Sequence, residues 1–104
     1  MKTTAVRLYG AKDLRVESFE LPALGKDEVL MRVVADSLCA STYKAVIQGT
    51  AHKRVPPDIA EHPVIIGHEM CGDILEVGDD LTGKWQVGQR VVIQPALKLE
   101  NNYD

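Results

Sequence analysis

The chain has 104 residues, 45% of them hydrophobic and 26% charged, with a formal net charge of -3 at pH 7; this suits one soluble globular domain and leaves no basic face for nucleic acid. No apolar run approaches the roughly 20 residues that span a bilayer, and the opening Met1-Lys2-Thr3-Thr4-Ala5-Val6-Arg7 lacks the apolar block of a signal peptide. Two cysteines, Cys39 and Cys71, are too few for a disulfide framework and fit a reducing, cytoplasmic setting.

The elements read mostly as strands. Thr4 to Tyr9 alternates and meets a turn at Gly10, and Leu14, Val16 and Phe19 continue an extended pattern that ends at Leu21-Pro22. A turn over Gly25-Lys26-Asp27-Glu28 precedes Val29 to Ala35, a dense apolar run that predicts a central strand. Ser41 to Gly49 predicts a short helix with Ser41 as N-cap and Gly49 closing it. Cys39 then falls in the corner between strand and helix, where side chains held by rigid neighbours can converge. A polar loop with Pro56-Pro57 and Pro63 occupies 50–63, and Val64-Ile65-Ile66 leads into Gly67-His68-Glu69. Asp73 to Val77 predicts a strand, Gly78 to Gly83 a turn, and Gly88 to Pro95 a final strong strand. Short strands separated by glycine turns suggest a small barrel or sandwich. No G-x-G-x-x-G occurs, so a doubly wound nucleotide-binding domain is not expected in this chain.

The chemistry concentrates in Gly67-His68-Glu69, spaced from Gly72 and Gly78 and preceded by Cys39. Zinc takes cysteine sulfur, histidine nitrogen and carboxylate oxygen, and a catalytic zinc keeps three protein ligands and one open position. Cys39 and His68 are too far apart for a finger motif, but they suit two corners of a β domain. Glu69 either ligates the metal or orients a ligand from behind it. Gly67 and Gly72 allow close backbone approach. Cys71 reads as a small buried hydrophobe, and Tyr43 and Trp85 as packing residues. His52-Lys53-Arg54 is either a solvated loop or a phosphate-recognition cluster.

Cys39 with Ser41, the Gly67-His68-Glu69 run with Gly72 and Gly78, and Val87-Gly88-Gln89-Arg90-Val91 together resemble the zinc-dependent alcohol and polyol dehydrogenases of the medium-chain dehydrogenase/reductase superfamily. The opening Met1 to Gly10, the corner Asp36-Ser37-Leu38-Cys39 with Lys44, and Val64 to Glu69 resemble the branch that reduces L-sorbose 1-phosphate. The resemblance implies a mainly β fold, a GroES-like, partly open β-barrel with one or two short helices. It implies that residues 1–104 are the N-terminal part of the catalytic domain, with the Rossmann domain outside this chain, so that the chain alone is inactive.

It further implies one catalytic zinc on Cys39, His68 and Glu69, and Ser41 as the hydroxyl that relays the substrate proton. Lys44 stands where many relatives end that relay with histidine; a solvated lysine, with a pKa near 10.4, relays poorly but attracts phosphate. Lys44, Lys53 and Arg54 are thus the candidate phosphate residues. The implied partners are a sugar phosphate or polyol, NAD(P) bound by the missing domain, and other subunits of a homo-oligomer. The stretch Pro95 to Tyr103 has no cysteine, so no structural zinc is expected in this chain. Leu81 stands where the superfamily pattern has a smaller or β-branched residue. The competing expectation is a stand-alone GroES-like binding or co-chaperone module without enzymatic activity.

Overall fold

Strands and turns dominate the computed structural model, which describes residues 1–95; the cysteine-free stretch continues beyond these described residues. Two units recur in the packing, one built from 1–21 and 38–67, the other from 22–37 and 68–95.

In the first unit, β1 (Lys2–Gly10) and β2 (Asp13–Glu20) form an antiparallel hairpin, with Val6 opposite Val16 and Leu8 opposite Leu14. Alternation puts Leu8 inside, where it is fully buried together with Ile59. The opposite face places Arg7 directly across from Arg15. That like-charge pairing is offset by rings and carboxylates: Arg7 lies 3.8 Å over Phe19, Arg15 lies 3.9 Å over Tyr9, and Glu17 and Asp13 pair with the two guanidiniums. The turn is made by Ala11 and Lys12, with Lys12 in the left-handed region at φ 59°. Strand β4 (Val64–Ile65) pairs with the other edge of β1, giving the order β2-β1-β4.

The predicted helix is present as α1 (Ala40–Gln48), but its start differs. Cys39, in extended conformation, is the N-cap, and Ser41 is already inside the first turn. The carbonyl of Cys39 accepts the amides of Thr42 and Tyr43 at 3.1 and 3.4 Å, which fixes the cap two residues earlier than the Ser41 hydroxyl suggested. Gly49 closes the helix as expected, at φ 55°, and a one-turn 3-10 helix follows over Gly49–Ala51. A methyl at Gly49 would press on the Ala11 backbone, and Lys12 N–H donates to the Val46 carbonyl at 2.7 Å, so the hairpin turn seats on the end of α1.

In the second unit, β3 (Val29–Asp36), β5 (Met70–Val77) and β6 (Arg90–Val92) form an antiparallel sheet in the order β3-β5-β6. The apolar run at 29–35 predicted a central strand, yet β3 is an edge strand of the described sheet, with Val33 and Val34 half exposed. A dense apolar run reports that both faces want cover; it does not report how many neighbours the strand has. Two register shifts, at Leu30/Met31 and Val33/Ala35, interrupt its pairing. The central position belongs to β5, which starts at Met70, earlier than its apolar pattern indicated, and buries Ile74. The last strand is shorter than the predicted 88–95, because Gly88 has φ 91° and the run ends in turn at Pro95.

The turn at 25–28 is closed by Gly25 N–H donating to the Glu28 carboxylate at 2.8 Å. A single 3-10 turn spans Asp79–Leu81. Among the described residues the fold is thus mainly β with one short α-helix, and each three-stranded sheet is open, with an unpaired strand edge on either side. Among the described residues no helix is long and apolar enough to cross a membrane.

Candidate active-site residues

The corner that follows β3 is short: Asp36 ends the strand and Ala40 opens α1. Cys39, held as N-cap, is half buried and forms no disulfide. Its Sγ lies 3.1 Å from Oγ of Ser41, two positions into the helix. The structure therefore brings together the thiol and the hydroxyl that the sequence singled out. Because the Ser41 hydroxyl lies against the thiol, it does not cap the helix.

Ahead of β5, Gly67 takes φ 99°, a conformation other residues rarely adopt, which accounts for glycine before His68. His68 is half buried and Glu69 exposed. The Glu69 carbonyl accepts the Ser37 amide at 3.0 Å, and the Ser37 hydroxyl donates a short hydrogen bond to the Glu69 carboxylate. Sequence reasoning did not single out Ser37; serine in a connector carries no signal until its strand partner is known.

The three candidate phosphate residues differ in setting. Lys44 projects from α1 and is exposed, whereas Lys53 and Arg54 are exposed in the loop after the 3-10 turn, where the Arg54 amide donates to His52 Nδ1 at 3.2 Å. None of the three joins an ion pair among the described residues. Of the side chains read as packing residues, Trp85 is half buried but Tyr43 is 68% exposed. Cys71 sits on β5 between Ala35 and Val92 and is half buried rather than fully enclosed.

A second cluster escaped the sequence entirely. Asp73 on β5 stands opposite Arg32 of β3 and Arg90 of β6, and accepts from both at 3.2 and 2.8 Å. Only the register of three strands puts these residues side by side, and that register is not written in their separate alternations. The hydrogen bond from Arg90, reinforced by the charges of Arg90 and Arg32, holds the Asp73 carboxyl below the ordinary aspartate value, against an opposing effect of partial burial. A carboxyl depressed in the folded state adds stability above its unfolded value, near 3.9, and loses it as pH falls through the folded value. Asp73→Asn should therefore be less stable than the wild type at neutral pH, and the difference should shrink as pH falls below about 3.9 and vanish once pH is below the folded value. Unfolding midpoints measured across that range check this; a pH-independent difference would contradict it.

Comparisons with known proteins show the family. Residues 25–103 match the alcohol dehydrogenase GroES-like domain. The chain is 57% identical over 102 residues to the L-sorbose 1-phosphate reductase of Klebsiella pneumoniae, covering 98% of this chain and 25% of that protein. It is 46% identical over 102 residues to the mannitol-1-phosphate 5-dehydrogenase of Aliivibrio fischeri, covering 98% of this chain and 24% of that protein. Among solved structures, a protein of Sinorhizobium meliloti 1021 described as a zinc-binding dehydrogenase, with NADP bound, superposes with a TM-score of 0.70 at 27% identity, over 86% of this chain and 24% of that one. The chain thus spans about a quarter of the length of the curated relatives it matches. With open sheets among its described residues and the matched stretch covering most of its length, the chain belongs to the alcohol dehydrogenase GroES-like domain family.

Proposed function

We propose that this chain is the N-terminal part of the catalytic domain of a zinc-dependent oxidoreductase. The complete enzyme transfers hydride between a nicotinamide cofactor, NAD or NADP, and a sugar phosphate or polyol. The observation that carries the reading is the pairing of Cys39 with Ser41 at the head of α1, in a chain 57% identical to a protein named for reducing a ketose phosphate. Exposed apolar side chains at Val33, Val34 and Val92 favour further polypeptide packing over this one. The nucleotide cofactor is assigned to that remainder, since no glycine fingerprint occurs here.

The donors suit zinc: Cys39 is a free thiol, His68 an imidazole and Glu69 a carboxylate whose orientation is held by Ser37. Bound there, zinc supplies Lewis acidity at the substrate oxygen, and the nicotinamide supplies or removes hydride. The chain's own residues do the rest. Cys39, as a thiolate ligand, only accepts hydrogen bonds, so the contact at 3.1 Å has Ser41 donating to sulfur. Turning that O–H toward the substrate oxygen delivers the proton to the forming alcohol while Ser41 Oγ takes a replacement proton from solvent water, and during oxidation the same relay runs in reverse, with the proton released to water. Ser41→Ala in the complete enzyme should retain zinc and lose about 10²- to 10⁴-fold in kcat. Metal content and turnover measured side by side test this; a fully active Ser41→Ala enzyme would remove the proton-relay role.

A further inference from the structure

We propose that Lys44 is the residue that selects a phosphate ester carried on the carbon next to the reacting carbonyl, making the preferred substrate a ketose 1-phosphate. This rests on the hydride-transfer reading above and adds a specificity residue to it. Ser41 and Lys44 are three positions apart on α1, so their Cβ atoms lie about 5–6 Å apart on one side of the helix. Ser41 is anchored beside the Cys39 thiol, so the proton donor and the ammonium share one rigid element. In a ketose 1-phosphate, the phosphorus is separated from the carbonyl carbon by one methylene and one ester oxygen. A cation for that phosphate must stand beside the proton donor, and the flexible four-carbon stem of lysine spans the remaining gap.

Charge points the same way. α1 contains no aspartate or glutamate, and the positions one turn either side of Lys44 are Ala40, Ser41, Ile47 and Gln48. The ammonium is exposed and belongs to none of the described ion pairs. It is therefore a cation on a flexible stem rooted in α1, with no carboxylate on its own helix to compete with a phosphate. Lys53 and Arg54 sit in a separate loop, off the helix that carries Ser41.

The test uses the complete, zinc-loaded enzyme with L-sorbose 1-phosphate, unphosphorylated L-sorbose and fructose 6-phosphate. The wild type should prefer the 1-phosphate. In Lys44→Met the ratio of kcat/KM for the 1-phosphate over the free ketose should fall roughly 10- to 100-fold, mainly through KM. Lys44→Arg should recover part of that ratio, and a Lys53→Ala/Arg54→Ala enzyme should keep it. An unchanged ratio in Lys44→Met, or a fall seen only in the Lys53/Arg54 variant, overturns the Lys44 assignment while leaving hydride transfer intact. A wild type that turns over none of the three sugars overturns both readings.

Discussion

His68→Ala in the complete enzyme is expected to lose its zinc and at least about 10³-fold of its turnover together, because the Lewis acid contributes several kcal/mol to the transition state and each 1.36 kcal/mol is tenfold in rate. The argument starts from the donor set. Cys39, His68 and Glu69 offer three different ligand types, and a catalytic zinc has no spare protein ligand to lose. Gly67 at φ 99° and the pairing of Ser37 with Glu69 hold the segment around His68 from both sides, so an alanine there removes the imidazole without removing the backbone frame. Unfolding midpoint, metal content and turnover, measured on the same preparation, separate the possibilities. Lost metal with a nearly unchanged midpoint is the expected result. Full activity in a zinc-free variant would end the metal assignment.

The second large effect is on folding. Gly72→Ala and Gly78→Ala should each destabilise by about 3 kcal/mol, the upper end of ordinary overpacking, whereas Gly83→Ala should stay within about 0.5 kcal/mol. Both sensitive glycines are buried and have unexceptional backbone angles, so the requirement is for space. A Cβ on Gly72 would strike the Arg32 carbonyl oxygen and the Met31 side chain across the β3–β5 pairing. On Gly78 it would strike the carbonyls of Gly25 and Lys26, which frame the turn that Gly78 and Asp80 amides bind into. Backbone carbonyls yield far less readily than a side-chain tip. At Gly83 a methyl meets nothing within 4 Å. Chemical unfolding of the three variants checks the contrast, and equal effects at all three positions would refute it.

These glycines also show what the sequence conveyed and what it withheld. Their spacing from Gly67-His68-Glu69 marked the segment as unusual, and the family match fits that reading. The structure gives Gly72 and Gly78 a packing reason, the close approach of neighbouring backbone. The hairpin, the corner at Cys39 and the helix ending at Gly49 were legible because local alternation and turn residues specify them. The edge position of β3 and the Asp73–Arg32–Arg90 cluster were not, because strand order and register are set by long-range pairing. The helix cap moved from Ser41 to Cys39 for a local reason. Capping preference favours the serine, but its hydroxyl lies against the neighbouring thiol.

The most direct measurement is nicotinamide absorbance during reduction of L-sorbose 1-phosphate by the complete enzyme, before chelation, after removal of metal, and after zinc is restored. The predicted result is turnover that disappears with the metal and returns with zinc. Turnover that persists in the fully metal-depleted enzyme, or none even with zinc restored, would contradict a zinc-dependent hydride transfer to a sugar phosphate.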